Sequence, residues 1–241
     1  MKVKIACKFE APELAVLLKE NNIEVVESGE DLIIAYGGDG TVLNALRHGK
    51  VLAVRAKGSV GFISDMGLEK FGKAVNNLEN FKIRDLPVIE VSQGEKYYAV
   101  NDVVLAGQLT RSIRFNVYLN GKVLMDNVIG DGIIVSTSLG STGYNLSAGG
   151  SVILSDCFAL TLNNPHSHRK LNFVFKQGDI VELEPLSDCE IVCDGRADEK
   201  IIPKKEKVKV MISDKKFYLV EIPGFEEDMY NKIDRLRLRK A

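Results

Sequence analysis

The chain carries almost no net charge: 32 lysines and arginines stand against 33 aspartates and glutamates, a formal balance of -1. That excludes the basic footprint of a nucleic-acid binder and a polybasic membrane patch. Long apolar runs are missing too. None approaches the roughly 18 residues of a membrane-spanning helix, and Met1 to Ala6 goes straight into strand-like alternation without the pattern of a secretion signal. Cysteine is sparse. Cys7, Cys157, Cys189 and Cys193 contain no C-x-x-C pair and fit no common zinc spacing, so all four read as reduced core or half-buried thiols, which suits a cytoplasmic protein. Cys189 and Cys193 lie four apart in strand-like sequence and so fall on one sheet face. Histidine occurs three times. His166 and His168 form an H-S-H pair, but no third ligand lies near it, which argues against a metal site. There are no repeats and no low-complexity tracts. What remains is a 241-residue chain, 45% hydrophobic and 27% charged, of ordinary globular composition and long enough for one large domain or two small ones.

The first informative stretch is Ala35 to Thr41, A-Y-G-G-D-G-T. It follows a short apolar run, Leu32 to Ala35, that reads as a buried strand, and Leu43 and Leu46 after it have helical spacing. The sequence predicts a helix from near Thr41 to a stop at His48-Gly49. Glycines let a backbone approach a ligand closely, and a helix N-terminus presents unpaired N–H groups to an anion. Asp39 is the odd member, because a bare carboxylate repels phosphate. It suits a metal ion, or a substrate hydroxyl whose proton or hydrogen bond it accepts. The bland alternative is a tight glycine turn with Asp39 as the helix N-cap.

Around that stretch the first part of the chain alternates strands with helices. Strands are expected at 2–7, 23–26, 32–35 and 51–54, with helices over Pro12–Glu20 and Leu68–Leu78, the latter weak at Asn76-Asn77. This pattern argues for a parallel sheet flanked by helices, with ligands at the carboxyl ends of the strands. Between them, Gly58 and Gly61 lead to Phe62 in a loop, where the ring either walls a pocket or plugs the core. From about residue 86 to 224 nearly every signal is strand. Ile113, Phe115, Val117 and Leu119 alternate with polar neighbours, Asn120-Gly121 is a two-residue hairpin turn, and strands follow at 171–175, 179–184, 189–193, 199–202, 207–212 and 216–222. The expected architecture is an α/β domain over 1–85, an all-β domain of stacked antiparallel sheets over 86–224, and a segment over 225–241. That last segment is helix-compatible, acidic at Glu226, Glu227 and Asp228 and basic at Arg235, Arg237, Arg239 and Lys240, a solvated pattern that complements a helix dipole.

The β-rich part contains a second unusual stretch, Gly130 to Gly150. Gly130-Asp131-Gly132 precedes a strand over Ile133–Ser136; then come Thr137, Ser138, Gly140, Ser141, Thr142, Gly143, Tyr144 and Ser147, with a short helix capped by Ser141 or Thr142. Small polar residues at this density make a poor core and a good surface for a flat polar ligand. The alternative is a long turn-rich connection. Asp194-Gly195 reads as a hairpin turn.

Taken together these stretches resemble the NAD kinases. Gly37-Gly38-Asp39-Gly40-Thr41 is similar to the family's G-G-D-G-T, Gly58 to Phe62 to its G-x-L-G-F, and Asn101-Asp102 to its N-D or N-E pair. Asp131-Gly132 through Tyr144 to Gly150 is similar to its D-G-x-x-x-S-T-P-T-G-S-T-A-Y run, and Pro165-His166-Ser167 to its P-H-S. The first motif is shared with lipid kinases and the wider phosphofructokinase-like group; the combination is specific. The resemblance implies a Rossmann-like, phosphofructokinase-like α/β domain and a β-rich dinucleotide domain, with the tail returning to the first. It implies transfer of the γ-phosphoryl of ATP to the 2′-hydroxyl of the adenosine ribose of NAD, with Mg²⁺ or another divalent ion on the triphosphate, in a homodimer or homotetramer. Asp39 would be the catalytic base, and Gly37, Gly38, Gly40 and Thr41 would hold phosphate. Asn101 would meet adenine or ribose edges and Asp102 the adenine amino group or a ribose hydroxyl. Asp131 would accept from the nicotinamide amide or its ribose. Ser141, Thr142, Tyr144 and Ser147 would line the adenine side, with Phe62 as a wall. The chain departs from the pattern at Ala56, where asparagine is usual, at Ser138-Leu139 in place of Pro-Thr, and at Gly143 in place of alanine. Two other functions share parts of these motifs: a lipid or other small-molecule kinase, against which Asn101-Asp102 and Gly140–Tyr144 speak, and a non-catalytic dinucleotide sensor, against which Asp39 speaks.

Overall fold

The computed structural model describes residues 1–59, 61–107, 111–166, 171–196, 200–201 and 206–237. Val60, Ser167, His168, Leu238, Arg239, Lys240 and the ends of the strand expected at 199–202 lie outside the described residues. The chain forms two compact units, residues 1–86 with 217–241, and residues 87–216.

The first unit begins as the hydrophobic pattern dictates. Strand β1 (Lys2–Cys7) leads to α1 (Pro12–Glu20), whose first-turn proline loses no hydrogen bond there. Leu14 and Leu18, one turn apart, are fully buried, which stabilises the packing by roughly 1.5–3 kcal/mol each. Then follow β2 (Glu24–Val25), β3 (Leu32–Gly37), α2 (Asp39–Ala45), β4 (Val51–Arg55), β5 (Met66–Gly67), α3 (Leu68–Ala74) and β6 (Lys82–Leu86). The helix expected to run to Leu78 gives way after Ala74 to a 3₁₀ turn over Val75–Asn80, because Asn76 and Asn77 are poor helix formers. Helix α2 starts at Asp39, two residues earlier than the hydrophobic spacing suggests, with Gly38 as its N-cap.

In the second unit the strands are β7 (Ile89–Gln93), β8 (Glu95–Ala99), β9 (Asp102–Ala106), β10 (Ile113–Leu119), β11 (Lys122–Gly130) and β12 (Gly132–Thr137). After a 3₁₀ turn (Gly140–Thr142) and α4 (Tyr144–Ser147) come β13 (Cys157–Asn163), β14 (Asn172–Lys176), β15 (Val181–Pro185), β16 (Glu190–Cys193), β17 (Lys200–Ile201) and β18 (Val208–Ile212). They form two antiparallel sheets, ordered β11-β10-β15-β18-β7-β8 and β14-β13-β12-β9-β16-β17. Phe115, Val117, Leu183 and Val210 from one sheet share a single core with Leu105, Val135, Leu160 and Ile191 from the other. Asn120 and Gly121, at φ 49 and 79, make the expected two-residue turn between β10 and β11. Helix α4 is not capped by Ser141 or Thr142; Gly143 takes that place, because both hydroxyls turn back onto carbonyls of the preceding turn.

The chain then returns to the first unit. Strand β19 (Phe217–Glu221) pairs parallel with β4 and antiparallel with β6, completing the order β2-β1-β3-β4-β19-β6, and α5 (Met229–Arg237) follows. β19 falls inside the stretch expected as β-rich to residue 224; locally it reads as one more antiparallel strand, but its partners are β4 and β6. Helix α5 begins later than the 225–241 pattern suggests, because the Asp228 carboxylate accepts the Asn231 N–H (2.8 Å) as a cap. Cys7 is exposed, contrary to the expectation of four core or half-buried thiols, since it stands at the last residue of β1. Cys189 and Cys193 are buried, and burial first, then Asp188 and Glu190, push the Cys189 thiol up to about 12. Among the described residues no helix is long and apolar enough to cross a membrane.

Because β19 lies between β4 and β6, a chain ending at Lys216 is expected to lose the first unit selectively. Limited proteolysis with fragment mass analysis should find residues 1–86 readily cleaved and 87–216 resistant; persistent resistance of 1–86 would contradict the dependence.

Candidate active site

In the first unit the site grows from the end of β3. The strand is buried through Tyr36, whose hydroxyl donates to Glu13 on α1 (2.7 Å). Burial first, then that hydrogen bond, push the Tyr36 hydroxyl up to about 12, so it remains a donor. Two glycines of the turn, and one of the facing β4–β5 loop, have close steric neighbours. A Cβ on Gly37 would fall 2.4 Å from Thr41 Oγ1, one on Gly38 2.9 Å from Ser59 Oγ, and one on Gly61 2.7 Å from Asp39 Oδ1. Gly40 has none: a Cβ there meets no protein atom within 4 Å. Asp39 occupies the first position of α2 and does not cap it. Its Oδ2 accepts the Phe62 N–H (2.9 Å) and its Oδ1 the Ile63 N–H (3.0 Å), so the carboxylate is shared between two successive amides of the β4–β5 loop. A carboxylate offers about four acceptor positions, and these two bonds leave capacity on each oxygen. A cavity of about 670 Å³ beside the turn is lined by Gly38, Gly40, Thr41, Lys4, Lys8 and His48 among others.

The loop that meets Asp39 is held from behind. Arg55 donates to the Ser64 carbonyl (2.7 Å), and Arg235 on α5 donates to the carbonyls of Gly61 and Ser64. Glu227 pairs with both guanidiniums. Burial first, then Arg55, lower the Arg235 pKa from its ordinary value, and Glu227 opposes them. Lys232 forms a buried ion pair with Asp65. The basic end of the tail is thus not the solvated face the sequence suggests at Arg235; the side chain turns inward because loop carbonyls and Glu227 satisfy it. Phe62 is buried beneath this loop, with the Lys232 ammonium 5.9 Å from its ring centroid.

In the second unit, Asn101-Asp102 opens β9 and packs against the 3₁₀ turn. A Cβ on Gly140 would lie 2.1 Å from the Asn101 carbonyl oxygen, so only glycine permits the contact. The same carbonyl accepts the Thr137 N–H (2.9 Å), and Thr137 Oγ1 donates to Val100 O (2.6 Å) while accepting from Gly140 N–H (3.1 Å). Asp194, an aspartate at φ 51, accepts the N–H groups of Val100, Asn101 and Asp102 at 3.0, 2.7 and 3.3 Å. Asn101 Oδ1 is buried with no hydrogen-bond partner among the described residues. Buried polar atoms nearly always have partners, and an exception calls for a physical reason such as a ligand. Asp102 is buried as well; burial first, then the Asp194 charge, push its carboxyl up to about 7.

Several expected site residues separate here. Ser141 is fully buried, donating to Ser138 O (2.7 Å) and accepting Ile153 N–H (2.9 Å), so its hydroxyl builds the turn. Thr142 is buried and Ser147 exposed, each bonded to a nearby carbonyl. Tyr144 is exposed, and its hydroxyl accepts from Asn163 (2.9 Å). Asp131 accepts from Asn164 (2.9 Å), with His166 Nε2 3.7 Å away. The glycines beside Asp131 answer to packing: a Cβ on Gly132 would lie 2.2 Å from Leu105 O. Sequence reading passed over Asn145, fully buried, which donates to Ser141 O and Ser151 O and accepts from Thr161. It also passed over Asn163, gave Arg235 only a solvated place in the basic tail, and gave Asp194-Gly195 only a turn; the D-G pair was the available signal for Asp194. Among the described residues no group of three or more His, Cys, Asp or Glu could hold a metal ion.

Two consequences can be measured. The folded Asp102 carboxyl, near 7, binds its proton more tightly than the unfolded one, near 3.8. Stability from this group is therefore full below about 4 and is lost as pH rises toward about 7, by roughly 4 kcal/mol at most. Urea unfolding of Asp102→Asn is expected to show a flatter pH dependence over that window, with the variant gaining on the parent as pH rises. Gly140→Ala drives a methyl into the Asn101 carbonyl and is expected to cost about 3 kcal/mol or more by the same assay.

Comparison with known proteins finds matches on both parts of the chain. A profile for the ATP-NAD kinase N-terminal domain matches residues 10–83, and one for the ATP-NAD kinase C-terminal domain matches residues 100–222. An NAD kinase of Sulfurimonas denitrificans is 30% identical over 222 residues, covering 86% of this chain and 76% of its own length. An NAD kinase of Caldicellulosiruptor saccharolyticus is 30% identical over 231 residues, covering 90% and 87%. The fold is shared with a crystal structure of an NAD kinase from Archaeoglobus fulgidus in complex with ATP, at a TM-score of 0.83 and 21% identity over 98% of this chain and 99% of that one. It is shared also with yeast NADH kinase complexed with NADH, at a TM-score of 0.80 and 17% identity over 100% and 88%. With profile matches on both parts of the chain and relatives alike over most of its length, this protein belongs to the NAD kinase family.

Proposed function

We propose that the chain is an NAD kinase that moves the γ-phosphoryl of ATP onto the 2′-hydroxyl of the adenosine ribose of NAD, with Asp39 accepting the hydroxyl proton. The observation that carries this is the Asp39 carboxylate itself, held by the Phe62 and Ile63 amides at 2.9 and 3.0 Å with acceptor capacity left over. Beside it stands Gly40, whose missing side chain answers to no protein contact and leaves room for a ligand. The new bond joins the ribose oxygen to the γ-phosphorus, the bond to the β-phosphate oxygen breaks, and ADP leaves. Such transfers depend on position and charge neutralisation rather than covalent help from the protein. The triphosphate would lie against Gly37–Thr41, with Lys4 and Lys8 of the adjacent cavity offsetting its charge. The divalent ion, Mg²⁺, would enter as part of the ATP substrate.

For the dinucleotide, Asn101 has a buried amide oxygen that asks for a donor, and the adenine amino group is one. Asp102, near 7, can donate or accept toward adenine or ribose at neutral pH. Asp131 and Tyr144 reach one surface through Asn164 and Asn163, for the nicotinamide side and the adenine side respectively. Thr142 and Ser147 line the same segment, Ser141 sets its shape, and Phe62 supports the loop beside Asp39 as an apolar wall. The family also suggests a homodimer or homotetramer, and exposed Leu154, Leu171 and Val174 on the second unit suit burial against another copy. The four free cysteines suit the cytoplasm.

Protein incubated with ATP, Mg²⁺ and NAD should yield NADP, detected by an NADP-specific dehydrogenase. Asp39→Asn is expected to lose on the order of 10²–10⁴ in kcat, with NAD binding by calorimetry little changed. A fully active variant would remove the base role; a parent protein that binds NAD yet forms no NADP would remove the kinase.

A further inference from the structure

We propose that Arg235, on the C-terminal helix, is a positioning residue for Asp39, acting through the peptide group between Gly61 and Phe62. The two ends of that one peptide are both engaged. Its carbonyl accepts from Arg235 Nη1, and its N–H donates to Asp39 Oδ2 at 2.9 Å. A trans peptide points its C=O and N–H in opposite directions, so fixing the oxygen aims the hydrogen. Arg235 Nη2 reaches a second carbonyl, that of Ser64 (3.3 Å), which follows Ile63, the other donor to Asp39. The guanidinium therefore brackets the two amides that hold the carboxylate. A cation on the carbonyl also polarises the amide and strengthens its N–H as a donor. No other residue type presents so rigid a fork; a lysine would place one ammonium where two carbonyls need donors.

The surroundings show that this clamp is built. Glu227 pairs with Arg235 and sets its guanidinium, and Arg55, which pairs with the same Glu227 carboxylate, donates to the same Ser64 carbonyl (2.7 Å). A Cβ on Gly61 would fall 2.7 Å from Asp39 Oδ1, so a side chain there would push against the carboxylate that the peptide holds. The helix does not depend on Arg235 for its place, since Lys232 is paired with Asp65 in a buried ion pair one turn earlier. Removing the guanidinium thus frees the peptide without freeing α5. The consequence is that α5, late in the chain, sets the geometry of a carboxylate near its beginning.

The role rests on the kinase reading, and one half of its test does not. Amide hydrogen exchange at Phe62 and Ile63, followed by mass spectrometry or NMR, reads the clamp directly, with α1 and β13 amides as internal controls. Arg235→Met is expected to speed exchange at those two amides about tenfold while the controls hold. Arg235→Lys, which keeps the charge opposite Glu227 and guards against misfolding, should fall between the two. In NADP formation, Arg235→Met should lower kcat by about tenfold or more with KM for NAD and ATP within about threefold, the signature of a lost transition-state arrangement rather than lost binding. Unchanged exchange at Phe62 and Ile63 in Arg235→Met overturns the clamp. Faster exchange with an unchanged kcat overturns the positioning role. A parent protein that makes no NADP, with the exchange effect intact, strikes the kinase reading alone.

Discussion

Asp39 shares one carboxylate between two successive backbone amides of a distant loop, and most of what matters in the first unit follows from that bond pair. An aspartate in the first turn of a helix is usually spent on that helix. Here Gly38 takes the cap position, and Asp39 reaches across to Phe62 and Ile63. The exchange links β3 and α2 to the loop between β4 and β5, and it explains the glycines on both sides. Gly37 makes room for Thr41, Gly38 for Ser59, and Gly61 for the carboxylate itself. Within the G-G-D-G turn itself, Gly40 alone meets no protein atom within 4 Å.

The second unit solves a comparable problem with another aspartate. Three successive N–H groups at the start of β9 would go unpaired at the strand's entry, and Asp194 accepts all three. That arrangement costs something next door. It places a second carboxylate near Asp102, already buried, and the Asp102 pKa rises to about 7 as a result of burial and charge together. Next to Asp102 in sequence, the Asn101 side-chain oxygen is buried with no hydrogen-bond partner among the described residues.

Much of the fold was legible because local pattern and tertiary partner agreed. Pro12–Glu20 carries its own start signal and apolar stripe, and Asn120-Gly121 admits only one turn geometry. The G-G-D-G-T stretch announced a strand, a turn and a helix; the small-polar run after Ile133 read as a poor core and a ligand surface, yet Ser136, Thr137, Ser141 and Thr142 are buried. Within that run the hydroxyls were less legible. Ser141 and Thr142 look alike in sequence, yet Ser141 is fully committed to Ser138 and Ile153. Residue type states what a hydroxyl can bond, not which neighbour reaches it first.

The sequence alone therefore settled the strand–helix alternation of the first unit and the two glycine-rich stretches, because those depend on period, turn preference and residue type within short windows; the class of chemistry came from its resemblance to the NAD kinases. The tertiary structure decided the rest. It put β19 between β4 and β6 instead of among the strands that precede it, because strand pairing is chosen by neighbours remote in the chain. It turned Arg235 from a solvated helix end into the clamp behind Asp39, because burial and paired carbonyls outweigh the dipole pattern of an isolated helix. The G-G-D-G-T motif supplied a carboxylate among glycines; the fold supplied the two amides that give it a direction.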